Sequence, residues 1–148
     1  MNRNILRLVA SLPGIAMGAT GVRWLVQPEE SSKGLGMPLL DGIGRSTQIG
    51  DFSSFFLGIA TLIFLGIIRY QGHWLYAAAL FLGAAAVFRT AATVFHGTDM
   101  ATAFIISEIA LASWLVGCGY LIGKTDAKIG SPGIKLRRPV QKPSEGTK

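Results

Sequence analysis

The sequence predicts an all-α membrane protein, a four-transmembrane-helix antiparallel bundle with a polar loop between helices 1 and 2 and a disordered basic C-terminal tail. Half of the 148 residues are hydrophobic and 15% are charged, whereas charged residues make up about a quarter of an ordinary soluble domain. The mean hydropathy is +0.45. Four apolar stretches have the length of about 20 residues that an α-helix needs to cross a bilayer. They cover residues 6–26, 47–68, 74–95 and 101–122.

Two interpretations compete for the N-terminal stretch. A basic start at Arg3 and Arg7, an apolar run and the small residues near Gly18 resemble a secretory signal peptide. Apolar character nevertheless resumes and continues to Val26, so the stretch is long enough to span a bilayer. We therefore expect a retained first transmembrane helix, with Trp24 beside Arg23 at the membrane interface.

The only long connection covers residues 27–45 and is followed directly by the second apolar stretch. Its apolar pieces predict that it lies against the membrane surface or folds over the helices. Its paired glycines do not form a nucleotide-binding motif, because no strand precedes them. Ser46 or Thr47 is expected to cap the second helix.

Short polar turns at residues 69–73 and 96–99 separate the later spans, so neighbouring helices should run antiparallel. Residues 1–123 then make up one membrane domain. From residue 124 onward the chain contains three prolines, seven basic residues and few apolar ones. This composition predicts a disordered cytoplasmic tail over residues 124–148.

The basic residues predict the orientation. With four spans, ten of the fourteen Lys and Arg residues fall on one side, which is the cytoplasm by the positive-inside rule. These ten are Arg3, Arg7, Arg69, Lys124, Lys128, Lys135, Arg137, Arg138, Lys142 and Lys148. A multi-pass protein of the cell inner membrane with both termini in the cytoplasm is expected. The asymmetry also explains the high pI, so no nucleic-acid partner is needed.

Charged residues inside the apolar spans define the candidate site. Arg89 precedes the turn that begins at His96 by seven residues, and Glu108 follows the start of the next span at Ala101 by seven. On antiparallel helices the two charges lie at matching depth, and because charge is costly inside a bilayer they should face inward and pair. The sequence predicts a polar cluster in the leaflet that faces away from the cytoplasm. Its members are Arg23, Arg45, Gln48, Asp51, Arg89, His96 and Glu108.

The cluster has two interpretations, which the sequence leaves open. One is a structural ion pair that fixes helix register, and the other is a ligand pocket that opens outward between the helices. A metal site is not expected, because His73 and His96 are the only histidines and belong to opposite membrane faces. The single cysteine, Cys118, is interpreted as a packing residue. The sequence contains no cofactor motif, so no cofactor is expected and an enzymatic role is disfavoured.

The run GVRWLVQPEESSKGLGMPLLDGIGRSTQIGDFSSFFLG, the later HWLYAAALFLGAAAVFRTAATVFHG and a fourth span with Glu108 resemble the bacterial family catalogued as domain of unknown function 4345. RSTQIGD and FRT carry the most specific part of a resemblance that covers residues 8–122. The family consists of small four-helix membrane proteins distantly similar to DoxX-like proteins. The resemblance implies the fold and a bacterial inner-membrane location, and it supplies no catalytic residues. DoxX-like relatives are associated with quinone-linked sulfur redox chemistry and with accessory roles in membrane complexes.

Two functional hypotheses follow. In the first, the chain is a non-enzymatic accessory subunit or a binder of a lipid or quinone-like ligand, embedded in the lipid bilayer beside a membrane-protein partner or a second copy of itself. Small residues suited to such helix association are Gly14, Gly18, Gly83, Gly119 and Gly123. In the alternative, it is a DoxX-like membrane oxidoreductase component acting with a partner subunit. Arg89 would then hold an anion or carbonyl, and Glu108 or Asp51 would carry a proton.

Overall fold

A computed structural model describes residues 3–129 of the chain, and the side chains of residues 3–124. This part contains five α-helices, which are α1 (Arg3–Val26), α2 (Pro28–Gly34), α3 (Gly42–Arg69), α4 (Gly72–His96) and α5 (Thr102–Ile129). By length and composition α1, α3, α4 and residues 102–124 of α5 can each cross a membrane. For the described residues, the prediction of an all-α fold with four helices long and apolar enough to cross a membrane is confirmed.

The long connection contains a short helix that the sequence analysis did not predict. Pro28 occupies the first turn of α2, where its missing N–H group would have had no intrahelical partner anyway. Glu29 and Glu30 lie in the first turn and Lys33 in the last turn. This charge order matches the helix dipole, so local electrostatics favour a helix where composition alone indicated a loop.

Helix α3 begins earlier than predicted. Its N-cap residue is Asp41, which makes no side-chain capping bond. The prediction that Ser46 or Thr47 caps this helix is wrong, because Gly42 already lies inside it. The Thr47 hydroxyl instead donates to the carbonyl of Ile43 one turn earlier, at 3.1 Å.

The C-terminal boundary also differs from the expected one. Helix α5 continues to Ile129, so residues 124–129 are helical although the disordered tail was predicted to begin at residue 124. Residues 130–148, the rest of that predicted tail, lie outside the described residues.

The helices pack most closely as two pairs, α1 with α3 and α4 with α5. Contacts of α3 with α4 and of α1 with α5 join the pairs.

The start of α1 lies beside the α3–α4 turn, where the Arg3 guanidinium carbon is 4.2 Å from the ring centroid of Tyr70. We call the end of the molecule that contains the start of α1 and the α3–α4 turn the basic end. The opposite end, which carries α2, residues 35–41 and the α4–α5 turn, is the loop end.

Aliphatic side chains from all four long helices fill the core. Leu6, Ile63 and Leu75 are at most 2% exposed. Large apolar side chains also cover the outside, since Phe88 and Phe95 are 71% and 79% exposed. An outer surface of this kind is unfavourable in water but suits contact with lipid, in agreement with four spanning helices.

Glycines allow α4 and α5 to approach backbone to backbone. A Cβ atom on Gly72 would collide with the carbonyl oxygen of Gly119, and one on Gly119 would lie 2.8 Å from the Tyr76 ring. A side chain at position 72 would therefore force the helices apart, and one at position 119 would require the Tyr76 ring to move. Close approach through small residues is a common way to pack helices in lipid.

The five glycines predicted as packing faces divide into two groups. A Cβ atom on Gly14, Gly18 or Gly119 would lie within 4 Å of a neighbouring helix. A Cβ atom on Gly83 or Gly123 would have no such neighbour among the described residues. The first three positions therefore serve packing within the chain.

Candidate functional site

An ion pair between α4 and α5 is the centre of the candidate site. Nε of Arg89 donates to Oε1 of Glu108 at 2.9 Å, and the two side chains are 32% and 12% exposed. The Arg89 guanidinium carbon also lies 5.2 Å from the ring centroid of Phe104. The structure thus joins the two charges that the sequence placed at matching depth, because a short turn connects the two helices.

The pair has unused hydrogen-bonding capacity. Oε2 of Glu108 is buried and has no partner among the described residues. The Arg89 side chain bonds to the described part of the chain only through Nε, although its guanidinium carries further N–H donors. A buried polar atom without a partner costs about 1–3 kcal/mol. The site would therefore gain stability from an additional polar group.

Beside the ion pair lies a groove of about 480 Å³, which we call the α3–α4 groove. Its lining is mostly aromatic and apolar and includes three charged residues. The lining residues are Asp51, Phe52, Phe55 and Phe56 from α3, Ala85, Phe88, Arg89 and Ala92 from α4, and Glu108 from α5. A few polar groups in a mainly apolar concavity are typical of small-molecule sites.

Three of the seven residues predicted for the polar cluster line this groove, namely Asp51, Arg89 and Glu108. Asp51 is exposed and forms no ion pair with another described residue. Its carboxylate adds negative charge near the Arg89–Glu108 pair. The groove therefore presents two carboxylates and one guanidinium beside aromatic rings.

Gln48 was predicted in the cluster but holds the loop instead. Its Oε1 accepts a hydrogen bond from the backbone N–H of Leu40 at 3.0 Å. Its Nε2 donates to the carbonyl of Pro38 at 3.2 Å and to the sulfur of Met37 at 3.0 Å. The residue is only 8% exposed, so its amide is fully used in anchoring residues 37–40 to α3.

Arg45 also belongs to the loop rather than to the groove. Its Nε donates to the Leu40 carbonyl at 3.0 Å, and its Nη2 bonds to Oδ1 of Asp41 at 3.2 Å. It lines a separate, polar cavity of about 640 Å³ between α2 and residues 37–41. In the same cavity a hydrogen bond from Lys33 to the Glu29 carboxylate raises the pKa of Lys33.

Arg23 and His96 do not join the groove. Both are exposed at the loop end, and neither pairs with a groove residue. Trp24, which neighbours Arg23, is completely buried within the protein and stacks on Phe52 with ring centroids 4.6 Å apart. The tryptophan thereby positions one wall of the groove.

The sequence analysis did not predict the four phenylalanines that line the α3–α4 groove, which we call the aromatic wall. Phe52, Phe55 and Phe56 follow Asp51 at helical spacing, and Phe88 directly precedes Arg89. Aromatic residues one turn apart beside a charged residue are the signal that could have indicated a mixed aromatic and charged site.

Other groups of the described chain offer less chemistry. In the ranges with described side chains, no three His, Cys, Asp or Glu side chains are close enough to hold a metal ion. Cys118 is a buried free thiol. A second groove, of about 610 Å³, runs between α4 and α5 and is lined almost entirely by apolar atoms. The α3–α4 groove is the one that combines apolar volume with charge.

Comparison of the chain with protein-family models, with curated proteins and with solved structures gives no match. The resemblance to the family of domain of unknown function 4345, and more distantly to DoxX-like proteins, remains a prediction from the sequence.

Proposed function

We propose that the chain is a small, non-enzymatic protein of the bacterial inner membrane that binds an amphipathic membrane molecule, a lipid or a quinone-like compound, in the α3–α4 groove. The oxygen-bearing head of the ligand contacts Arg89, and its apolar part lies against the phenylalanines. The observation that carries the proposal is an ion pair with spare donors beside a groove with four phenylalanine rings. A purely structural ion pair needs no such groove.

Arg89 selects the chemistry of the head group. Its single bond to Glu108 orients the planar guanidinium and leaves the Nη donors free within the described residues. A guanidinium binds carbonyl and phosphate oxygens in a fixed geometry. A phospholipid phosphate and a quinone carbonyl both provide that kind of acceptor.

The aromatic wall is fixed before any ligand arrives. Phe52 is held by its stack on Trp24. Phe55 meets Phe56 edge to face, with centroids 5.3 Å apart, and it meets Phe81 in the same way at 6.5 Å. Rings that already pack on one another lose little freedom on binding, so an apolar chain or flat ring can bind at low entropic cost.

The charge distribution supports an orientation in the membrane. The basic end carries Arg3, Arg7, Arg69 and Lys124, which favours its placement in the cytoplasm. The groove then lies in the outer leaflet, and both termini are cytoplasmic. The resemblance to small four-helix bacterial membrane proteins favours the same location.

The proposal is tested by identifying what copurifies with the chain in mild detergent. We expect native mass spectrometry to find a bound lipid or quinone, and Arg89→Gln to lower its retention at least tenfold. Arg23→Gln is the matched control, because it removes an exposed arginine at the same end but away from the groove. Equal retention in both variants would contradict the proposal.

A second pair of variants changes the groove without touching the ion pair. Ala92 lines the α3–α4 groove, and its neighbour Ala91 lines the apolar α4–α5 groove. Ala92→Leu should displace the ligand by filling the groove, whereas Ala91→Leu should not. A redox-enzyme subunit that copurifies with the chain would favour the oxidoreductase-component hypothesis, whereas a bound lipid alone would favour the non-enzymatic role.

A further inference from the structure

At the basic end two arginines lie against one tyrosine ring. The guanidinium carbons of Arg3 and Arg7 are 4.2 Å and 5.4 Å from the ring centroid of Tyr70. Both arginines are exposed, whereas Tyr70 is 4% exposed. The aromatic face attracts each cation, but the two like charges repel each other. An anion between them would remove this repulsion.

The described part of the chain supplies no such anion. Its acidic side chains all belong to the loop end or to the adjoining halves of α3 and α5. They are Glu29, Glu30, Asp41, Asp51, Asp99 and Glu108. Neither Arg3 nor Arg7 forms a salt bridge with any of them. Asp126 and Glu145 lie outside the residues with described side chains.

Tyr70 contributes a second, independent feature. Its hydroxyl is buried and has no hydrogen-bond partner among the described residues. Its φ is 56°, a left-handed conformation that non-glycine residues rarely adopt. The α3–α4 turn therefore keeps a large, polar aromatic residue where glycine would fit with less strain, and this residue is the one that the two arginines cover.

We propose that Arg3, Arg7 and Tyr70 form a binding site for the phosphate group of an anionic phospholipid. Guanidinium groups bind phosphate oxygens through paired N–H donors, and the tyrosine ring holds both groups on one surface. The site lies where three helices able to span a membrane begin or end, which is the depth of the lipid headgroups. It is at the opposite end of the helices from the α3–α4 groove, so it does not depend on the function proposed for that groove.

The test compares two double variants of the full chain in detergent. Arg3→Gln with Arg7→Gln removes the site, and Arg69→Gln with Lys124→Gln removes two charges from the same end. Each variant is titrated with phosphatidylglycerol and with phosphatidylcholine of identical acyl chains, and lipid retention and thermal unfolding are measured. Because both arginines would bond the phosphate directly through charge-assisted hydrogen bonds, we expect the first variant to lose about 100-fold or more in phosphatidylglycerol affinity. The control should lose only the general attraction of basic residues for anionic lipid, which is about 30-fold or less.

Equal losses in the two double variants would reduce the effect to general surface charge and overturn the proposal. If the double variant of Arg3 and Arg7 does not fold, the lipid titrations of the wild-type protein still test the proposal. Equal stabilisation of the wild type by the two lipids would overturn the proposal. A parallel titration with inorganic phosphate identifies the source of the anion. Stabilisation by phosphate alone, dependent on Arg3 and Arg7, would support the phosphate site but assign it to a soluble anion.

Discussion

Replacement of Arg89 by alanine should destabilise the protein through the carboxylate that it leaves behind. The Glu108 side chain is 12% exposed, and one of its oxygens already lacks a partner. Removing one member of a fully buried ion pair costs about 3–5 kcal/mol. Because Arg89 is itself 32% exposed, solvent weakens the pair, and we expect a loss of about 2–4 kcal/mol in the free energy of unfolding.

Glu108→Ala should cost less than Arg89→Ala. The longer Arg89 side chain can move its charge toward the groove opening while its stem stays in place. The double variant should therefore be less destabilised than the sum of the single variants, with a coupling free energy of about 1–3 kcal/mol. The unfolding free energies are measured in bicelles by denaturant titration.

Strict additivity of the two substitutions would refute the reasoning, because it would mean that the two side chains do not interact. A swap of the charges, Arg89→Glu with Glu108→Arg, separates structure from binding. If the swapped protein regains stability but no longer retains its ligand, the layout of the charges serves the bound molecule as well as the fold.

Three further predictions concern the scaffold. Gly72→Ala should lower the free energy of unfolding by about 1–3 kcal/mol by separating α4 from α5, whereas Gly83→Ala, which meets no neighbour, should be neutral or slightly stabilising in the same bicelle assay. Gln48→Ala should cost about 1–3 kcal/mol, because it frees the loop that its amide anchors, and limited proteolysis should then cut that loop faster. Reporter fusions should show periplasmic activity at Gly97 and none at Gln71, and activity at Gln71 would contradict the orientation.

The four long helices and the Arg89–Glu108 pair could be predicted because their signals are strong. Apolar length fixes a spanning helix, and a short turn fixes the relative depth of two antiparallel helices. Arg89 and Glu108 are equally far from their turn, so the register of α4 against α5 followed from the chain itself. The depth of each charged residue along its helix could therefore be predicted from the sequence.

The rotation of each helix about its own axis could not be predicted in the same way. In a membrane helix both the lipid-facing and the core-facing sides are apolar, so periodicity says little about which side faces inward. For this reason the packing of Trp24 against Phe52 was not predicted. Arg45 and Gln48 lie near a helix start, where loop carbonyls and amides compete for their side chains. No pattern of residues indicates that competition.

The division of the helices into two tightly packed pairs has a consequence for access to the groove. Within each pair glycines press against the neighbouring helix, as Gly21 does against Leu57 and Gly72 against Gly119, so neither pair can open without losing its packing. The α3–α4 groove lies on the less closely packed seam between the pairs. A small swing of one pair against the other would widen this seam toward the surrounding hydrocarbon. Molecules already dissolved in the bilayer would then reach Arg89 laterally from the membrane, without passing through water.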